Sequence, residues 1–555
     1  MGGQPKLKNN KGMNIDNKNI IIRGFSALIA AIAILTIVFL DASLKQDRNM
    51  GLNVSIFTIK NLVIFIVLFL LCNCVFQWLL KFVVTIEIRD KDCLEKSHRM
   101  VFIQAFILNI VCWGVWFWLY FPGAGMNDTI NCIMSYRNDN QPLVYQLFIY
   151  YGIHGLTKFT SNMTNSYAIL TAVQMGVMSF VIAWIAKWLC KKGVKRLFIN
   201  LFMLYYALMP VVADYSITLV KDTMFSICMA AIIPFLYEII LQHGEVIKNK
   251  KFYIAFFIVL TGICTLRSNG KFIVVFILLL LLIPKINNRR YFMSILVLVI
   301  MMNGMVSFGE KKLIAGDVSF RESISIPLVQ IGAVLAENGY ISEEDKEVLG
   351  NLLPLEVWRD TYCFWFSDSI KFNGNFNNQW LNENKAKFID TWFSVLKDNL
   401  GIYVKAYLCH TFGLWNVSPY NPTDYTQSYF TRINNNTGDD SIWGEFCTDK
   451  HLINRDINHR FLSKQINTFL ATCFRINLVL RPGIMFWVIV GFMLILCVYK
   501  QYQVCFIFLP CLLNWITMMI AAPGSYIYRY SFYLVLSLPL LFIIMLLALR
   551  KMQKE

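Results

Sequence analysis

The sequence predicts an all-α polytopic membrane protein of about twelve transmembrane helices, with a mainly helical insert on the outer face before the last three. Three observations predict it. The 555 residues are 57% hydrophobic and only 15% charged, with a mean hydropathy of +0.52. That is too little charge to cover the several domains a soluble chain of this length would form. The apolar residues cluster into runs such as 61–80, 101–120, 272–283 and 531–549, and a run of about 18–20 residues matches the roughly 30 Å hydrocarbon core. Basic residues return in every second short loop.

The elements follow in order. Residues 1–20 form a polar, basic tail. Spans are expected near 21–40, 58–81, 101–120, 167–189, 197–213, 219–241, 252–267, 270–284 and 291–308. The insert 309–475 follows, then spans near 483–499, 503–521 and 528–549 within the C-terminal region 476–555. The first run lacks a small-residue cleavage site after it and reads as a retained helix. The runs near 252–267 and 270–284 are short and are expected to tilt or pair tightly.

Orientation comes from Lys and Arg. With the N-terminus inside, the inner segments hold Lys6, Lys8, Lys11 and Lys18; Arg89, Lys91, Lys96 and Arg99; Lys191, Lys192, Lys195 and Arg196; Lys248, Lys250 and Lys251; Lys285, Arg289 and Arg290; Lys500; and Arg550, Lys551 and Lys554. The short outer loops hold scattered cations: Arg137, Lys158, Lys221 and Arg267. Both termini are therefore expected in the cytoplasm and the insert outside. The net charge of +17 fits the same picture. The insert carries 16 Lys+Arg against 20 Asp+Glu, and the rest carries 35 against 14. A basic excess spread over short loops is topology rather than a nucleic-acid surface.

Within the insert, Ser325 opens a helical run that ends by Gly339, Ser342 through Asp345 reads as a capping box, and 382–415 reads as helix with a break at Asn399-Leu-Gly401. Six Trp (358, 365, 380, 392, 415 and 443) offer enough aromatic area for a small core. Most cysteines fall in apolar runs and behave as small hydrophobes. Cys363, Cys409, Cys447 and Cys473 lie in the insert, and spacing leaves their pairing open.

The first outer segment, 121–165, is the richest in chemistry. A Pro/Gly-rich turn leads to Asp128, and Gln141-Pro142-Leu143-Val144-Tyr145 opens an interrupted apolar stretch that suits a helix lying on the bilayer. A carboxylate at that depth tends toward a raised pKa unless a cation or metal reverses it, and it can take a proton from an acceptor hydroxyl. The plainer reading is a helix cap or solvated loop residue. The outer cations beside spans are Arg267, Lys221 and Arg529. An Arg fork can hold phosphate, and Gly270 permits a tight turn after Arg267. Snorkelling or pairing with a carboxylate is the alternative for Arg267, and an aromatic-belt anchor is the alternative for Arg529. Asp222 binds substrate, helps Asp128 or pairs with Lys221 or Arg267. His154 follows the interfacial stretch and is either a substrate contact or structural.

Three segments carry a resemblance: Asp128 with Gln141 to Tyr145, then Val220-Lys221-Asp222-Thr-Met-Phe, then Leu266-Arg267-Ser-Asn269-Gly270. In this order they resemble the lipid-linked-sugar glycosyltransferases of the GT-C type, the superfamily of protein mannosyltransferases and related bacterial enzymes, over a membrane core of 21–308. The resemblance implies transfer of a sugar from a polyprenyl-phosphate donor to a glycan or protein acceptor of the cell envelope, at the outer face of the plasma membrane. It implies Asp128 as the catalytic base and Arg267, Lys221 and Arg529 as donor-phosphate ligands, with Asp222, Gln141, Tyr145, His154 and Asn269 toward substrate. Gln141 stands where the usual motif has His, and Asn127 where many relatives carry a second acidic group. One carboxylate is a thin ligand set for a divalent metal, so metal use stays open. A flippase for lipid-linked sugars and a surface-polysaccharide polymerase or ligase are the competing readings. A flippase calls for ionisable or helix-breaking residues deep inside several spans, with repeat symmetry.

Overall fold

The computed structural model describes residues 15–45, 57–89, 95–137, 141–283, 286–313, 320–418, 481–521, 524 and 528–551. The described residues are mainly helical, with one short two-stranded ladder. Before the insert come α1 (Ile15–Lys45), α2 (Ile59–Thr85), α3 (Glu95–Leu119), α4 (Asn127–Met134), α5 (Leu143–Thr160), α6 (Met163–Lys191), α7 (Arg196–Leu208), α8 (Pro210–Ser216), α9 (Lys221–Leu241), α10 (Lys250–Leu266), α11 (Gly270–Leu281) and α12 (Arg289–Leu313). The insert contributes α13 (Ser325–Ala336), α14 (Glu343–Leu352), α15 (Leu355–Thr361), α16 (Asp368–Lys371), α17 (Asn378–Glu383), α18 (Lys385–Asp398) and α19 (Leu400–Trp415). The chain closes with α20 (Pro482–Val498), α21 (Tyr502–Cys505), α22 (Leu509–Ala521) and α23 (Phe532–Lys551).

Eight helical segments among the described residues are long and apolar enough to cross a membrane: those of α1, α2, α3, α6, α9 and α12, with Tyr502–Ala521 and Tyr528–Leu549. The chain is therefore an all-α, multi-pass membrane protein. A ninth arises if α7 and α8, bent by 60°, count as one. The bend falls at Pro210, whose missing N–H breaks the helical ladder. The other three of the twelve expected spans are helical but short. The α10, α11 and α20 helices have 17, 12 and 17 residues, and at 1.5 Å per residue the shortest covers only about 18 Å.

The loops sort to two ends. At one end a bridge pairs Arg89 with Val194, Lys195 meets Glu87 at 2.9 Å, Lys192 meets Glu238 at 2.5 Å, the Asn287 amide donates to the His243 carbonyl at 2.8 Å, and Tyr499 donates to the Leu80 carbonyl at 2.9 Å. These contacts collect the described basic loops. The end of α3, the start of α9, the end of α10 and the start of α23 meet at the opposite end. The most enclosed spans are α9 and the one that includes α23, and they pack against each other.

The insert has its own core, in which Leu328, Ile331, Leu349, Trp358 and Phe388 are fully buried. It is also joined to the bundle: Val329, Phe412 and Trp415 share a second cluster with Ile32, Phe39, Trp487 and Trp515. The Trp487 and Trp515 indoles donate to the carbonyls of Trp415 and Leu414 at 2.7 and 3.1 Å. The local expectations hold here. The α13 helix begins at Ser325, the Ser342 hydroxyl caps α14 by accepting from the Asp345 amide at 3.1 Å, and the chain breaks at Asn399 between α18 and α19. Cys363 and Cys409 form no disulfide with each other. Trp443, Cys447 and Cys473 lie outside the described residues.

Candidate functional site

A two-residue parallel ladder builds the site. β1 (Ala124–Gly125) pairs with β2 (Thr218–Leu219) in the register Ala124↔Thr218 and Gly125↔Leu219. Asp128 follows β1 by three residues and Lys221 follows β2 by two, so this register brings two distant outer loops side by side. Gly123 is essential to the approach. Its φ is +120°, and a Cβ there would lie 2.7 Å from the Thr171 side chain and 2.9 Å from the Ile217 carbonyl. The Gln174 amide ties the second strand from α6, donating to the Thr218 carbonyl at 2.7 Å. The Tyr167 hydroxyl ties the first, donating to the Ala124 carbonyl at 2.7 Å.

Five charged side chains meet beside this ladder. An Arg529 guanidinium N–H donates to Asp128 Oδ2 at 2.8 Å. Lys221 Nζ lies 3.8 Å from the same oxygen and donates to the Gln141 side-chain carbonyl. Arg267 Nη1 lies 3.2 Å from Asp222 Oδ1, and Arg529 Nε lies 3.8 Å from Asp222 Oδ2. Arg529 thus stands between the two carboxylates. Both arginines face the Tyr530 ring, at 4.4 Å for Arg267 and 5.0 Å for Arg529. Three cations and two carboxylates leave the group with one excess positive charge.

The two carboxylates differ. Asp222 is fully buried, and neither of its oxygens accepts a hydrogen bond; the two arginines meet it through longer charge contacts. Asp128 keeps 21% of its side chain exposed. Burial pushes the Asp128 carboxyl up from its ordinary 3.8, but Arg529 and then Lys221 outweigh burial and hold it down to about 2. The expected upward drift is therefore reversed by cations.

The other expected residues fall at varying distances from this group. Tyr145 is buried, shares a hydrogen bond of 3.1 Å with Thr129 and donates to the Leu219 carbonyl at 3.4 Å. Burial raises its phenol well above 10, so it stays protonated and supports β2. Asn269 donates to Asn514 at 2.9 Å and Thr517 at 2.7 Å, tying the turn after Arg267 to α22. His154 hydrogen-bonds the Ile133 carbonyl at 2.9 Å and packs on Tyr150, apart from the five charges. The insert reaches the site's flank, where Leu414 packs with Met518, Met519 and Tyr530. Sequence reasoning passed over Tyr530, Asn514 and Thr517. Only Tyr530 carried a signal, as the aromatic next to Arg529.

The turn that carries Arg267 depends on Gly270, where a Cβ would sit 1.8 Å from the Ile263 carbonyl oxygen. Gly270→Ala is expected to destabilise the protein by about 1–3 kcal/mol through overpacking, seen as a lower thermal midpoint in tryptophan fluorescence of purified protein.

Among the described residues no group of three His, Cys, Asp or Glu is placed to hold a metal. Each carboxylate of the site is faced by cations. No curated protein and no solved structure matches the chain. A family model, described as a family of unknown function (DUF6020), matches residues 132–555, which include Lys221, Asp222, Arg267 and Arg529. The match covers most of the chain, which therefore belongs to the DUF6020 family.

Proposed function

We propose that the protein is a membrane glycosyltransferase of the GT-C type that moves a sugar from a polyprenyl-phosphate donor to a glycan or protein acceptor of the cell envelope. The observation that supports this best is the meeting of Asp128, Lys221, Asp222, Arg267 and Arg529 at the end of the bundle opposite the basic loops. By the positive-inside rule that end is extracytoplasmic, with both termini in the cytoplasm and the insert outside. Counting α10, α11 and α20 as short or tilted crossings restores twelve spans. A phosphodiester carries one negative charge and matches the one excess positive charge of the site.

In the proposed reaction the acceptor oxygen attacks the anomeric carbon. The acceptor proton passes to Asp128, and the carbon–phosphate-oxygen bond breaks with its electron pair going to the phosphate. Arg529 and Lys221 meet the charge that develops there. Asp222 holds Arg267 and Arg529 in place. No step is assigned to a metal. The five charges sit at helix ends, at one interface, which suits interfacial chemistry better than passage through the bundle.

The test is a deletion strain. The proposal expects loss of one envelope sugar modification, accumulation of a polyprenyl-phosphate sugar on the outer leaflet, and recovery of both with the wild-type protein. Accumulation on the inner leaflet would instead indicate a flippase.

A further inference from the structure

The cations best placed to take the donor phosphate are the ones that hold the proposed base. Arg529 bonds Asp128 at 2.8 Å and Lys221 lies 3.8 Å from it. Arg529 also has a second carboxylate within reach, Asp222 at 3.8 Å, and a supporting ring in Tyr530. It can therefore leave Asp128 without becoming an unpaired charge. Asp128 in turn has the more exposed side chain of the two acids and belongs to the eight-residue α4. We infer that Asp128 and the donor phosphate compete for Arg529 and Lys221, so that the anion displaces the carboxylate and releases the base only once the donor is seated. This rests on the reading of the site as a lipid-phosphate site and adds its regulation: donor binds first, and an empty site does not activate a stray hydroxyl or water.

The electrostatics agree in sign. Arg529 and Lys221 keep Asp128 at about 2, too low for a base of any strength. The charged and titratable groups facing it are Arg529 from the turn before α23, Lys221 and, through Arg529, Asp222 from α9, Cys132 on its own helix and Tyr145 from α5. Gln141 completes its surroundings by bonding Lys221. An arriving phosphate neutralises the two cations and places a negative charge nearby, and both changes raise the carboxyl.

Infrared difference spectroscopy of the full-length protein in nanodiscs tests this. The Asp128 carboxyl band is identified as the one missing in Asp128→Asn, and its titration is followed alone, with polyprenyl phosphate, with inorganic phosphate and with polyprenol. Binding of each lipid is measured in parallel. The expected result is a midpoint that rises by about 1–3 pH units with polyprenyl phosphate, the size of losing an adjacent opposite charge, and that stays put with polyprenol. A similar rise with inorganic phosphate shows that the anion alone drives release. Bound polyprenyl phosphate with an unmoved Asp128 midpoint overturns the displacement while leaving the donor site standing. Failure of polyprenyl phosphate to bind overturns both.

Discussion

Asp128→Asn is expected to lower sugar transfer by about 10²–10⁴-fold, the usual worth of a positioned general base, while the protein still inserts and folds. The stability argument supports this separation. The cations hold the Asp128 carboxyl down from 3.8 to about 2, and a displacement of that size is worth on the order of 2 kcal/mol at neutral pH. Because the folded pKa lies below the unfolded one, that contribution is complete above the ordinary carboxylate range. It fades as pH falls through about 2. Loss of about 2 kcal/mol does not unfold a protein of ordinary stability, near 5–15 kcal/mol. Arg529 keeps Asp222 as a partner in the variant. Transfer rates in membrane vesicles and size-exclusion profiles of the purified variant check the two halves. Full transfer by Asp128→Asn would remove Asp128 from the catalytic role.

Arg529→Gln is expected to damage both activity and stability. Arg529 is the residue shared by the two carboxylates. Without it the fully buried Asp222 keeps Arg267 alone, and Asp128 keeps the more distant Lys221. Removing one partner of a buried ion pair costs about 3–5 kcal/mol, and removing a phosphate-facing donor costs about 10²–10³ in rate. Arg529→Lys is expected to restore part of the stability and little of the rate, since a point charge cannot bridge two carboxylates as the guanidinium fork does. The double variant with Asp128→Asn is expected to lose less stability than the sum of the single losses, because the two side chains share one hydrogen bond. Thermal midpoints of the four proteins give the coupling, and additive losses would show that the pair is energetically independent.

The membrane character was legible in the sequence because apolar runs and basic loops are one-dimensional signals. Every expected span is helical, and the capped α14 and the break at Asn399 fall where capping chemistry puts them. Helix length was less legible. Hydropathy marks where apolar residues lie but not where Pro210 bends a run or where Gly270 begins a helix against the carbonyl of Ile263. At the site, Asp128, Lys221, Asp222, Arg267 and Arg529 all stood out as ionisable groups beside spans. Of their pairing, only Asp222 with Arg267 stood among the alternatives the sequence offered; the rest did not. It depends on a ladder of two residues per strand, too short to leave a periodicity, and on contacts such as Asp128 to Arg529 that join residues 401 apart in the chain. In the structure Arg267 is turned to the buried Asp222, as its carboxylate-pairing alternative has it, and Arg529 takes the bridging place.

The pairing of Asp128 with two cations weighs most heavily against a free catalytic base, and an incoming phosphate is the proposed answer to it. The most direct test is an electron cryomicroscopy structure of the protein in nanodiscs that contain polyprenyl phosphate. The account predicts phosphate density in hydrogen-bonding contact with Arg529 and Lys221, with the Asp128 carboxylate moved off the guanidinium. Phosphate density elsewhere on the protein, with the Asp128–Arg529 bond intact, would contradict it.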